Sequence, residues 1–148
     1  MTSVTHTLVA IAVASKIQNP AIAFPTCFFS NYLLDMIPHW DFGYGWREKS
    51  KTKLFIEGLL DISVSYFLVF YLHQTIFQNT NIYYLLICAF LAQLPDWLEI
   101  PYLIFDFKKQ PFSFFYQIQH QIHNRWNLPW GLLPQIVVAG SSLVWAIK

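Results

Sequence analysis

Three stretches of this chain, Leu54–Phe77, Ile82–Phe105 and Leu128–Ile147, are long apolar runs. A helix needs about 20 such residues to cross a hydrocarbon core of about 30 Å, and each run supplies them. Charged residues make up 11% of the chain and hydrophobic ones 55%, whereas a soluble domain carries about a quarter charged residues. A chain of 148 residues has too small an interior to hide that much apolar surface from water. An aromatic content of 19% excludes intrinsic disorder, which needs polar, aromatic-poor sequence. No run alternates apolar and polar residues with a period of two, which argues against strands. The expected class is therefore all-α: a single integral membrane helical bundle over residues 1–148. The net charge of +1 implies no polyanionic partner, so no nucleic acid is expected.

A fourth apolar region, about Leu8 to Ile37, is interrupted by Lys16, Gln18, Asn19 and Pro20. It reads either as one bent crossing or as a helical hairpin of about Thr5–Ile17 and Ala21–Ile37. Asn-Pro after two polar residues is a turn signal, which favours the hairpin. Three spanning helices would then follow, with Gln78–Asn81 as a tight connection and an interfacial helix over about Phe115–Trp126. The N-terminus lacks the basic region of a secretory signal peptide, so the first segment is expected to remain. Cys27 and Cys88 lie in apolar runs and read as small buried residues rather than a disulfide framework.

Basic residues set the orientation. Arg47, Lys49, Lys51 and Lys53 precede the Leu54–Phe77 run, and Lys108, Lys109 and Arg125 precede the last one. The connection between Leu54–Phe77 and Ile82–Phe105 has none. Both basic loops fall on one side, which the positive-inside rule makes cytoplasmic.

That topology gathers nearly every ionisable group at the same end. Asp35, His39 and Asp41 close the Leu8–Ile37 region, Glu57 and Asp61 open Leu54–Phe77, and Asp96 and Glu99 lie toward the end of Ile82–Phe105. His120 and His123 fall in the second basic loop, on one face if that segment is helical. A hairpin would bring His6 to the same level, whereas His73 falls near the opposite surface and reads as interfacial. Intramembrane carboxylates are costly, face the interior and mark function. Acids and imidazoles crowded at one depth are reconciled by a divalent cation, whose ordinary ligands they are. The expected ligands are His6, His39, Asp41 and Asp96, completed by His120 or His123, with Asp35 orienting or joining them. Glu57 or Glu99 is expected to act as general base. Pro95 is expected to disrupt its helix so that Asp96 caps the next segment. Mixed His and Asp ligands suit zinc, iron, manganese or nickel; a divalent ion is expected, zinc first and manganese next.

The opening Thr5-His6, the short Asn19-Pro20 break and the run Leu34-Asp35-Met36-Ile37-Pro38-His39-Trp40-Asp41 resemble a known group. These are small bacterial inner-membrane proteins of the LexA-regulated, metal-dependent hydrolase type, distantly grouped with zinc-dependent phospholipase C and P1-type nucleases. The family typically carries a Pro-Asp-x-Asp-His-like motif where this chain has Pro38-His39-Trp40-Asp41, so the acid and histidine positions are exchanged. Leu94-Pro95-Asp96 resembles a second such element without its downstream Asp-His, and His120-Gln121-Ile122-His123 resembles a C-terminal histidine element. The resemblance implies an all-α multi-pass protein of the bacterial inner membrane with a divalent metal site.

Together these readings lead to one expectation: a metal-dependent hydrolase acting on a phosphoester or lipid-like substrate at the cytoplasmic face of the bilayer. The rival is a non-catalytic scaffold or ion-binding subunit that uses the same cluster to hold helices together. Oligomers are compatible with either, and transport would require them.

Overall fold

The first apolar region folds as two helices rather than one bent crossing. Helix α1 covers Ser3–Lys16 and α2 covers Pro20–Asp35. The turn between them follows from its residues: the Asn19 side chain accepts from the Ala21 N–H at 3.0 Å, and Pro20 takes the first helical position, where its missing N–H costs nothing. The two run antiparallel, because His6 near the start of α1 lies 3.3 Å from Asp35 at the end of α2. The computed structural model describes residues 1–148 and contains no strand. Four more helices follow: α3 (Lys51–Thr75), α4 (Ile82–Leu103), α5 (Phe112–Ile122) and α6 (Leu133–Ile147), with short 3-10 turns at Trp46–Glu48 and Trp130–Leu132.

Helix α1 is the central post. Its alanines Ala10, Ala12 and Ala14 are buried with Ile11 and Val13, and their small side chains let α2, α3, α4 and α6 pack directly against it. Cys27 and Cys88 are free thiols buried in this core. Around the post, α3 and α6 turn large apolar side chains outward, among them Phe67, Tyr71, Ile136 and Val137. Lys51–Thr75 and Trp130–Ile147 are each long and apolar enough to cross a membrane. Helix α4, expected as a further crossing, is as continuous but carries Gln93, Asp96 and Glu99 in its second half, so length and composition support two crossings rather than three.

The chain thus has a polar end and an apolar end. At the apolar end the Tyr84 hydroxyl donates to Ile17 O at 2.5 Å, and His73 Nε2 lies 3.1 Å from Thr80 O. The polar end holds the start of α1, the end of α2, the start of α3, the end of α4 and the start of α6. Seven of the nine Lys and Arg residues are in the loops or first helical turn there; Lys16 and Lys148 are not.

Two local expectations are corrected. Helix α4 runs unbroken through Pro95 and Pro101, so Asp96 caps no new segment; its carboxylate is instead held by side chains of α2 and α5. Helix α5 stops at Ile122 instead of continuing to Trp126, and His123 is extended, with φ −67° and ψ 113°. The following residues pair in parallel with the segment after α2: the His39 N–H donates to Asn124 O at 3.0 Å and the Trp126 N–H to His39 O at 2.7 Å. His120 and His123 therefore do not share a helix face.

Candidate metal centre

The pairing just described sets His39 and His123 side by side, with ring centroids 4.7 Å apart. Glycine makes that register attainable. A Cβ on Gly131 would lie 2.5 Å from Trp40 N and 2.9 Å from Trp126 O, closer than atoms pack, so the Trp130–Leu132 turn can approach the His39 segment only without a side chain there. The Trp40 N–H then donates to Gly131 O at 3.0 Å, and Gln135 Nε2 donates to Trp40 O at 2.7 Å.

His39 Nδ1 lies 2.7 Å from Ile37 O. A carbonyl can only accept, so Nδ1 carries the proton and the Nε2 lone pair points inward. Fixing the tautomer through the other ring nitrogen is the usual arrangement for a metal-binding histidine. Around His39 Nε2 stand Asp41 Oδ2 at 3.3 Å, Asp35 Oδ1 at 3.6 Å and His123 Nε2 at 2.7 Å. On the other side of Asp35, His6 Nε2 lies 3.3 Å from Asp35 Oδ1 and 3.8 Å from Asp96 Oδ2. Two groups of ligand-type atoms result, Asp35 with His39 and His123, and His6 with Asp35 and Asp96, each within 4.8 Å. Asp35 belongs to both.

These residues fit a divalent cation in several respects. Donor atoms bound tetrahedrally at about 2.0–2.1 Å stand about 3.4 Å apart, which is the spacing of His6 to Asp35 and of His39 to Asp41 and Asp35. His6 is fully buried, yet neither ring nitrogen has a hydrogen-bond partner, and Asp41 Oδ1 is equally unpaired. Buried polar atoms without partners are rare and costly. His123 Nε2 is 2.7 Å from both Asp41 Oδ2 and His39 Nε2; these are hydrogen-bond lengths, so His123 must move outward by a few tenths of an ångström to share an ion with them.

Charge around the cluster is partly balanced by protein groups. The Met1 ammonium pairs with Asp35, and Arg125 Nε donates to Asp41 Oδ2 at 3.1 Å. Burial pushes the Asp41 carboxyl up, but the hydrogen bond from His123 and the Arg125 charge outweigh it and hold it well below the usual carboxylate range. Burial lowers His123 below the ordinary imidazole value, with Asp41 opposing; a ring kept neutral is the form that binds metal.

Of the residues singled out in the sequence, His6, Asp35, His39, Asp41, Asp96 and His123 meet here. His120 does not: it is exposed and stacked on Tyr116 at 5.5 Å. Glu57 pairs with Lys49 at 2.7 Å and stands outside the cavity beside the cluster, whereas Glu99, buried, lines it. Asp61 accepts from the Ser3 N–H at 2.7 Å and so caps α1.

Sequence reasoning missed the amides that hold the acids. Gln119 Nε2 reaches Asp96 Oδ1 at 2.7 Å and Asp35 Oδ2 at 2.9 Å, and Asn31 Nδ2 donates to Asp96 Oδ2 at 2.9 Å. Their signal was uncharged amides in otherwise apolar or interfacial helices, which need a buried partner. No protein-family model, curated protein or solved structure matches the chain.

Proposed function

We propose that this chain is a multi-pass membrane protein whose His and Asp cluster binds divalent metal, zinc first and manganese next, and hydrolyses a phosphoester or lipid-like substrate on the cytoplasmic side. The observation that carries this reading is His6, a fully buried imidazole with no well-formed hydrogen bond on either nitrogen, whose Nε2 stands 3.3 and 3.8 Å from two carboxylates. The orientation rests on the basic residues gathered at the cluster's end, with α4 as a third crossing between α3 and α6.

His6, Asp35, His39, Asp41, Asp96 and His123 would hold the metal. A divalent cation held there would supply a Lewis acid for the phosphoryl oxygen and would lower the pKa of its bound water to about 7. Glu99 lines the same cavity as Asp41, Asp96, His123 and Arg125, where it takes the proton from the attacking water. Arg125 faces the anionic substrate, while Gln119 and Asn31 keep Asp35 and Asp96 from swinging away.

The test is hydrolysis of bis(p-nitrophenyl) phosphate by purified protein loaded with zinc or manganese. Loss of a general base lowers rate by about 10²–10⁴-fold, so Glu99→Gln is expected to fall by that factor while retaining its metal. A fully loaded wild type without turnover refutes the catalytic reading. The scaffold reading is favoured by one feature: the Asn31 and Gln119 amides tie α2, α4 and α5 together. Under it, His39→Ala lowers stability and no metal is bound at any stage.

A further inference from the structure

Helices α3 and α4 pack closely toward the apolar end, where Val69, Leu72 and Leu85 are buried. Toward the polar end they part and enclose a cavity of about 230 Å³. Leu54, Gly58 and Ile62 form its α3 wall, four residues apart and so on one helix stripe. That stripe covers about 12 Å of helix at 1.5 Å per residue. Ile100, Leu103 and Ile104 form the α4 wall.

The lining combines two chemistries. Asp41, Asp96, Glu99, His123 and Arg125 form its ligand-type and charged part. Arg125 uses only its Nε within the protein, on Asp41, so its terminal N–H groups remain for a phosphate oxygen, the anion a guanidinium matches best. The rest of the lining is mostly apolar, apart from Ser3, Asp61 and His120, and includes Phe55 and Leu59, which are 52% and 53% exposed on a helix long and apolar enough to cross a membrane. A hydrocarbon chain can enter there from the side without passing through water. At the middle of the wall sits Gly58. A Cβ placed on it meets nothing within 4 Å, and any side chain would project into open space that the glycine leaves free. Glycine within a helix costs stability relative to alanine, and here it widens the cleft.

We propose that the α3–α4 cleft holds the hydrocarbon chain of an amphiphile whose phosphate head lies at the His and Asp cluster, and that Gly58 sets the room for the chain. This rests on the hydrolytic reading of the cluster and names the kind of substrate it takes. A small polar phosphoester would leave the apolar wall uncovered.

The experiment compares binding of dodecyl phosphate and methyl phosphate to the zinc-loaded protein in lipid nanodiscs, followed by the fluorescence of Trp97, which also lines the cleft. Wild type is expected to bind dodecyl phosphate at least about tenfold more tightly, consistent with a favourable contribution per buried methylene. Gly58→Phe removes that preference and Gly58→Leu reduces it; each is compared only if its Tm matches wild type. Gly140→Phe, on the open side of α6 where a Cβ also meets nothing, keeps it. Equal affinity for the two phosphates in wild type, or a preference that survives both Gly58 variants, overturns the proposal. Turnover separates the two ideas. Hydrolysis of bis(p-nitrophenyl) phosphate without chain preference sinks the cleft alone, whereas chain preference without turnover of any phosphoester sinks the hydrolase.

Discussion

Gly131→Ala adds one carbon at the point where the Trp130–Leu132 turn meets the extended segment around His39. That carbon would lie 2.5 Å from Trp40 N, 2.7 Å from Trp40 Cβ and 2.9 Å from Trp126 O. Two of the three are backbone atoms, so no side-chain rotation relieves the clash and the segment itself has to move. Moving it stretches the Trp40 N–H to Gly131 O bond of 3.0 Å and the Gln135 bonds to Trp40 O and Gly131 O, at 2.7 and 3.1 Å. Overpacking costs about 1–3 kcal/mol and each hydrogen bond about 1 kcal/mol, so the loss should reach about 3 kcal/mol. In a chain of this size that corresponds to a fall in Tm of about 6–12 °C. The assay is thermal unfolding by circular dichroism in detergent, with Gly140→Ala as the control. Gly140 has open space around its Cβ, and alanine there is expected to be neutral or to stabilise by up to about 1 kcal/mol. A Gly131→Ala protein within about 1 °C of wild type refutes the packing argument, and with it the explanation of how His39 is held.

Gln119→Ala frees Asp35 and Asp96 of a shared donor, and metal affinity should weaken about 10–100-fold, the usual cost of losing a group that orients ligands; calorimetric titration with zinc checks it, and unchanged affinity contradicts it. Acid should destabilise the chelator-treated protein in two stages. His123 is depressed in the fold, so the unfolded chain binds its proton first and stability declines as pH falls below about 6.5. Asp41 is held well below its unfolded value, so its contribution is present above about pH 4 and lost below it. Tm measured across pH 7.5, 5.5 and 3.5 reads both stages, and a Tm that rises on acidification refutes the assignment.

The hairpin was legible because Asn19-Pro20 is a local signal that acts through its own backbone: the Asn caps and the Pro starts the next helix. The presence of α3 and α6 was legible from length and apolarity, although the expected runs Leu54–Phe77 and Leu128–Ile147 begin three residues after and five residues before the observed helices. The cluster followed at coarse resolution from topology, which brought His6, His39, Asp41 and Asp96 to one end with no knowledge of side-chain direction. Choosing between His120 and His123 required knowing where α5 ends. That end is set by hydrogen bonds from the Asn124 N–H to Asp35 O, at the end of α2, and from the Trp126 N–H to His39 O, in the α2–α3 connection, both far away in sequence, and no local pattern carries it. Glu57 and Glu99 looked alike as intramembrane acids; Lys49, in a loop whose course was not readable, claims the first and leaves the second in the cavity. Pro95 misled because a helix packed on α1 and α2 keeps its course through a missing N–H.

Metal content measures the central claim most directly. Protein purified without chelators and analysed by plasma mass spectrometry should carry at least about one zinc or manganese ion per chain, with X-ray absorption showing nitrogen and oxygen donors at about 2.0–2.2 Å. His6→Ala and His39→Ala should each lose most of it. A wild type that holds no divalent metal, and whose Tm does not rise when zinc or manganese is added, would contradict the account.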